Sequence, residues 1–176
     1  MPKQQNRIFQ WRTFVPPGIL LCLGVASCFK NEDFPIEPII FEPEVTIMTD
    51  SAQVSFGFTD GDGDIGLADS EIDPPYDTSS KYHYNLIIEY FEKDNVNGWQ
   101  SGLDLAGDTV FFEYRIHPFV VKGKNRGIKG TIDVMMADFY NPFSTDSDTI
   151  KYRIQLIDHA LHESNLLETA PVIYPH

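Results

Sequence analysis

Apolar and polar residues alternate with a period of two along most of the chain from Val45 onward. Val54, Phe56 and Phe58 are separated by Ser55 and Gly57, and Tyr82, Tyr84, Leu86, Ile88 and Tyr90 share one parity. Val110, Phe112, Tyr114 and Ile116 alternate with Thr109, Phe111, Glu113 and Arg115. Ile128, Ile132, Val134 and Met136 stand opposite Lys129, Thr131 and Asp133; Ile150, Tyr152, Ile154 and Leu156 stand opposite Lys151, Arg153 and Gln155. Successive strand residues point to opposite faces, so each run predicts a strand with one buried face. Short strands at Val45–Met48 and Val172–Tyr174 bring the count to about seven, and His159–Glu168 is the best candidate for a short helical turn. Many short strands without intervening helices predict an all-β antiparallel sandwich, and about seven of them fit an immunoglobulin-like arrangement. Trp99 falls in the polar run Asn95–Gly102, which reads as a hairpin loop.

The first 27 residues break this pattern. They carry Lys3, Arg7 and Arg12, no acid, and an apolar run from Phe14 to Val25. That run is shorter than the roughly 20 residues a membrane-spanning helix needs, and with small residues at its end it has the form of a signal peptide. Its end, Val25-Ala26-Ser27-Cys28, resembles the lipobox of bacterial lipoproteins. The resemblance implies a diacylglycerol on the Cys28 thiol, cleavage before Cys28, and acylation of the new amine by a fatty acid such as palmitate. Several acyl chains together give stable anchoring. Residues 28–43, interrupted by Pro35, Pro38 and Pro43, then read as a tether, and residues 44–176 as the sandwich. Phe29-Lys30-Asn31-Glu32-Asp33 resembles the surface-export signal of Bacteroidota lipoproteins, which implies an outer-membrane protein facing outward; as a plain solvated linker it leaves a periplasmic face open.

Charge sharpens this. The chain has 13 Lys+Arg against 26 Asp+Glu, a net charge of -13, and loss of the leader makes it -16. Such a chain lacks the cations that neutralise phosphates, so nucleic acid is excluded as a partner. It is repelled by anionic head groups, so contact with the membrane falls to the lipid anchor. Two cysteines, Cys22 lost with the leader and Cys28 acylated, exclude a disulfide framework and a four-cysteine zinc site.

One segment carries chemistry: Thr59-Asp60-Gly61-Asp62-Gly63-Asp64-Ile65-Gly66-Leu67-Ala68-Asp69-Ser70-Glu71. Three carboxylates at alternate positions repel one another unless a cation is present. Glycines let the backbone curl so that the side chains converge, and hard oxygen ligands suit Ca²⁺. Asp60, Asp62, Asp64 and Glu71 match the first, third, fifth and twelfth places of an EF-hand loop, but Ile65 stands where that loop needs glycine, and a strand precedes it. The segment more closely resembles the Asp-x-Asp-x-Asp calcium loops found outside EF-hands. Asp69 and Glu71 are both candidates for the closing ligand, and an acidic turn without a cation is the competing reading.

Phe56–Gly66 also resembles a recurring stretch of uncharacterised Bacteroidota lipoproteins, and Tyr152–Ala160 resembles the penultimate strand of bacterial immunoglobulin-like domains. These resemblances imply fold and location and no activity. Other clusters read as ordinary surface: Asp146 and Asp148 as a hairpin turn; His159, His162 and Glu163 as a surface turn; His83 and His117 as sheet residues; Lys122, Lys124, Arg126 and Lys129 as a solvated basic hairpin. Glu89, Glu92 and Glu113 cannot be paired as glycosidase acids from sequence. No nucleophile elbow, P-loop or dinucleotide fingerprint occurs. The expectation is therefore a non-enzymatic, calcium-stabilised module that captures an unidentified protein or glycan. The alternatives are a glycan-binding accessory module stacking sugars on Tyr76, Trp99 or Tyr140, and a small hydrolase using a divalent cation at the acidic loop.

Overall fold

The computed structural model describes residues 33–119, 127–137, 139 and 148–174. Among them every regular element is a strand: β1 (Ile39–Ile47), β2 (Ala52–Asp60), β3 (Leu86–Asp94), β4 (Gly98–Ser101), β5 (Phe111–Tyr114), β6 (Ile128–Met136), β7 (Thr149–Leu156), β8 (Leu167–Glu168) and β9 (Val172–Ile173). They form two antiparallel sheets. One has the order β1-β2-β6. In the other, β3 and β7 lie side by side, β4 and β5 share the outer edge of β3, and β8 and β9 share the outer edge of β7. The chain passes from one sheet to the other between β2 and β3, between β5 and β6, and between β6 and β7. This is an antiparallel β-sandwich of the kind the alternation predicts, with nine strands among the described residues where about seven are expected.

The core sits between the sheets. Val54, Phe56 and Phe58 of β2 and Ile132, Val134 and Met136 of β6 face Leu86, Ile88 and Tyr90 of β3 and Ile150, Tyr152, Ile154 and Leu156 of β7. These are the parities read from the sequence. Each such side chain stabilises the fold by roughly 1.5–3 kcal/mol on leaving water, which makes this layer the frame on which the loops ride.

The boundaries differ in four places. The first strand begins at Ile39, inside the segment expected as tether, and Ile40 is buried in the core. A bulge between Phe41 and Glu44, with Glu42 at φ 52°, shifts the register and accommodates Pro43, because an edge strand tolerates a lost ladder bond. The third strand begins at Leu86, since residues 76–85 form a chain of turns with Tyr76 N–H on Asp73 O, Ser80 N–H on Asp77 O and His83 N–H on Ser80 O. His83 and His117 accordingly lie outside strands, whereas Trp99 lies on β4 and not in a loop. His159–Glu168 is not helical: Leu161 has φ 72°, and the Asp158 carboxylate accepts the His162 N–H at 2.7 Å, closing a tight turn before β8. The leader, Cys28, Lys122, Lys124, Arg126, Tyr140 and Asp146 lie outside the described residues. No helix of the described residues is long and apolar enough to cross a membrane.

Candidate metal centre

At one end of the sandwich, four carboxylates meet. Asp60, Asp62, Asp64 and Asp158 each offer an oxygen, and these oxygens all lie within 4.8 Å of one another. Two come from strand ends. In β2 the core-facing parity runs Ala52, Val54, Phe56, Phe58 and then Asp60; in β7 it runs Ile150, Tyr152, Ile154, Leu156, and one step beyond lies Asp158. Continuing each inward face by one step places an acid where the core ends. Asp60 is 0 % exposed and Asp158 1 %.

The loop after β2 supplies the other two. Gly63 takes φ 71°, a conformation that costs a side chain with Cβ, and so turns the chain between Asp62 and Asp64. The Asp64 N–H donates to Asp60 Oδ2 at 3.0 Å across this turn. Ile65 and Leu67, each 1 % exposed, then plug the loop into the core, which explains the apolar residue where an EF-hand has glycine. The loop is stitched to the turn after β7: Ala160 N–H donates to Asp64 Oδ2 at 3.0 Å, and His159 N–H to Asp64 O at 3.2 Å. Asp158 is oriented by His162, whose N–H and Nδ1 meet its two oxygens at 2.7 and 2.8 Å.

The electrostatics are unfavourable for the protein alone. Burial, then the Asp62 charge, raises the Asp60 pKa to about 6. Burial, then the charges of Asp158 and Asp62, raise that of Asp64. Buried Oδ1 atoms of Asp60, Asp62 and Asp64 have no hydrogen-bond partner among the described residues. A buried acceptor without a donor costs about 1–3 kcal/mol, and more when charged. Oxygens bound to one Ca²⁺ at 2.3–2.6 Å are at most about 5 Å apart, so this group could hold a divalent metal ion.

Three of the five ligand candidates read from sequence are therefore brought together, and two are not. Glu71 accepts the Ala68 N–H at 2.6 Å and meets His159 Nε2 at 2.5 Å; these contacts hold its pKa below the usual carboxylate range. Asp69 is exposed and lies 3.7 Å from His117 Nδ1. The fourth carboxylate of the group is Asp158, which spacing within the loop does not reveal. Its signal is the inward parity of β7 carried one step, two residues, past Leu156.

The remaining candidates are engaged elsewhere. The Tyr76 hydroxyl donates to His159 O and its ring packs on the His159 imidazole at 5.2 Å, so Tyr76 braces the turn beside the cluster. Lys151 Nζ lies 4.8 Å from the Trp99 ring centroid. His159, His162 and Glu163 diverge, towards Glu71, Asp158 and Lys81 respectively. Glu89 accepts from Arg153 and Ser101. Asp148 is exposed and accepts from the Thr149 hydroxyl. No family model, curated protein or solved structure matches this chain.

Proposed function

We propose that this chain is a lipid-anchored cell-envelope protein, displayed on the outer membrane, whose sandwich is a non-catalytic binding or adhesion module organised at one end by a structural Ca²⁺ ion. The anchor and location rest on Val25-Ala26-Ser27-Cys28 and the Lys30–Asp33 segment behind it. The cation rests on one observation: the wholly buried Asp60 holds an unpartnered oxygen against three further carboxylates. An all-oxygen, all-carboxylate donor set favours a hard cation over zinc or copper. Ca²⁺ accepts irregular, protein-supplied cages, whereas Mg²⁺ retains several waters. Extracellular modules work with weak Ca²⁺ sites, in keeping with a surface location. The non-catalytic reading is supported by the histidines beside the cluster, which act as braces: His162 orients Asp158, and His159 holds Glu71.

Two measurements test the halves separately. Thermal melting of the full chain in detergent, with Ca²⁺ at 100 times its Kd against chelator, should raise Tm by about 8 °C, since binding there contributes about 2.7 kcal/mol. No shift overturns the cation. Metabolic labelling with palmitate should mark the wild type and not Cys28→Ala; equal labelling, or none, overturns the anchor.

A further inference from the structure

We infer that the same cation governs whether the root of the tether, residues 34–38, is docked on the sandwich or released from it. The inference rests on cation binding at the four-aspartate centre. Three segments converge there: the chain entering β1, the Asp60–Gly66 loop, and the turn after β7.

Gly61 stands between two of the four carboxylates. A Cβ built on it would lie 2.4 Å from the Phe34 carbonyl oxygen and 2.6 Å from that of Pro35, so the entering chain lies directly on the loop backbone. A Cβ on Gly127 would meet the Phe34 ring at 3.3 Å and the carbonyl oxygens of Gly61 and Asp60 at 3.5 and 3.6 Å. The ring is therefore seated beside the residue that ends β2 and carries the most buried carboxylate. Pro38 is buried. Two residues on, Ile40 is gripped by the segment that follows the second ligand-bearing turn: its N–H donates to Asn165 Oδ1 and its carbonyl accepts from Asn165 Nδ2, both at 2.9 Å.

The entering chain thus lies on the Asp60–Asp64 loop in its curled form, and the strand it leads into is held by Asn165, just past the other carboxylate-bearing turn. Four like charges in that space push the loop open, and a cation holds it closed. Tether docking and cation binding each favour the curled loop, so they are coupled, and the coupling is reciprocal: the factor by which Ca²⁺ strengthens docking is the factor by which docking strengthens Ca²⁺ binding. Release of residues 34–38 lengthens the free chain on the N-terminal side by at most about 18 Å, at up to 3.6 Å per residue. Cation binding would then set how far the module reaches, as well as how stable it is.

The test uses the full chain in detergent with Phe34→Trp, labelled with 5-fluorotryptophan and followed by fluorine NMR in about 2 mM Ca²⁺ or in chelator, a concentration above the Kd of typical extracellular sites. The expected result is that the resonance of the introduced indole moves on adding Ca²⁺ and that its shift between H₂O and D₂O falls by at least half, with Asp62→Asn holding it at the chelator position. In the unsubstituted chain, which covers the case of an indole that does not seat, the Ile40 amide should exchange with solvent at least tenfold more slowly in Ca²⁺, and Phe34→Ala should weaken Ca²⁺ binding severalfold. If Ca²⁺ raises Tm yet leaves the introduced indole's signal and the Ile40 exchange rate unchanged, the coupling is overturned and the cation site stands. If Ca²⁺ neither raises Tm nor changes either signal, both are overturned.

Discussion

Two clusters of charge in this protein have opposite character. On the outer face of the larger sheet, Arg153 lies 2.8 Å from Glu168 and 3.2 Å from Glu89, while Lys151 lies 2.7 Å from Glu168. Phe91 packs beneath both cations, with its ring centroid 4.5 Å from the Arg153 guanidinium and 5.5 Å from Lys151 Nζ. Positive and negative groups alternate, and solvent reaches most of them. At the end of the sandwich, Asp60, Asp62, Asp64 and Asp158 share one sign, and three of their oxygens are buried without donors among the described residues. The first cluster is complete within the chain. The second could hold a divalent cation. Sign and burial, more than the number of charges, separate the two clusters.

The comparison can be broken most directly at Asp158. In saturating Ca²⁺, Asp158→Ala should abolish the rise in Tm of about 8 °C and lower the Ca²⁺ affinity at least a hundredfold by calorimetry, because it removes the one carboxylate of the group, among the described residues, that comes from the opposite sheet, and frees its turn. A retained shift would mean that the loop alone makes the site.

The next effect is the pH dependence, which should reverse with the cation. The raised Asp60 pKa means that, in chelator, this carboxyl contributes stability that is fully present below its unfolded value of 3.8 and is lost as pH rises through about 6. The raised Asp64 pKa acts in the same direction. Chelated protein should therefore melt lower at pH 7 than at pH 5. Ca²⁺ binds the deprotonated form, so in its presence the stabilisation should grow over the same interval. Melting curves at pH 5, 6 and 7, with and without chelator, check both signs.

A smaller effect sharpens the contrast. Asp60→Asn should raise the chelator Tm by a few degrees, since it removes a buried like charge, while weakening Ca²⁺ binding at least tenfold; a lower Tm in chelator would mean that the Asp64 N–H bond outweighs the repulsion. The smallest belongs to the other cluster. Arg153→Ala should cost about 1 kcal/mol or less by denaturant unfolding, equally in Ca²⁺ and chelator, because the pairs are partly exposed.

Much of this was legible in the sequence, for different reasons. The core faces of β2, β3, β6 and β7 followed from parity, because a half-buried strand has to alternate. Asp60, Asp62 and Asp64 were legible as a group because a glycine-rich loop brings alternate residues together over a short distance. Asp158 was not, because it reaches the site through the packing of two sheets, 96 residues away for the neighbouring pair Ala160 and Asp64. Glu71 drew attention through its spacing, yet the Ala68 N–H and His159 already hold it. The start of β1 was hidden by Pro38 and Pro43, whose effect on an edge strand is absorbed by the bulge at Glu42.

The double grip of Asn165 on Ile40 has a mechanical consequence. β1 is an edge strand, and an edge strand pulled from one end normally peels away one ladder bond at a time. Here a load arriving from the N-terminal side meets, one residue past the Ile39–Thr59 pair, two side-chain hydrogen bonds that tie the strand to a segment emerging from the opposite sheet. The pull is thus shared between the two halves of the sandwich from the first residues of the β1–β2 pairing onward.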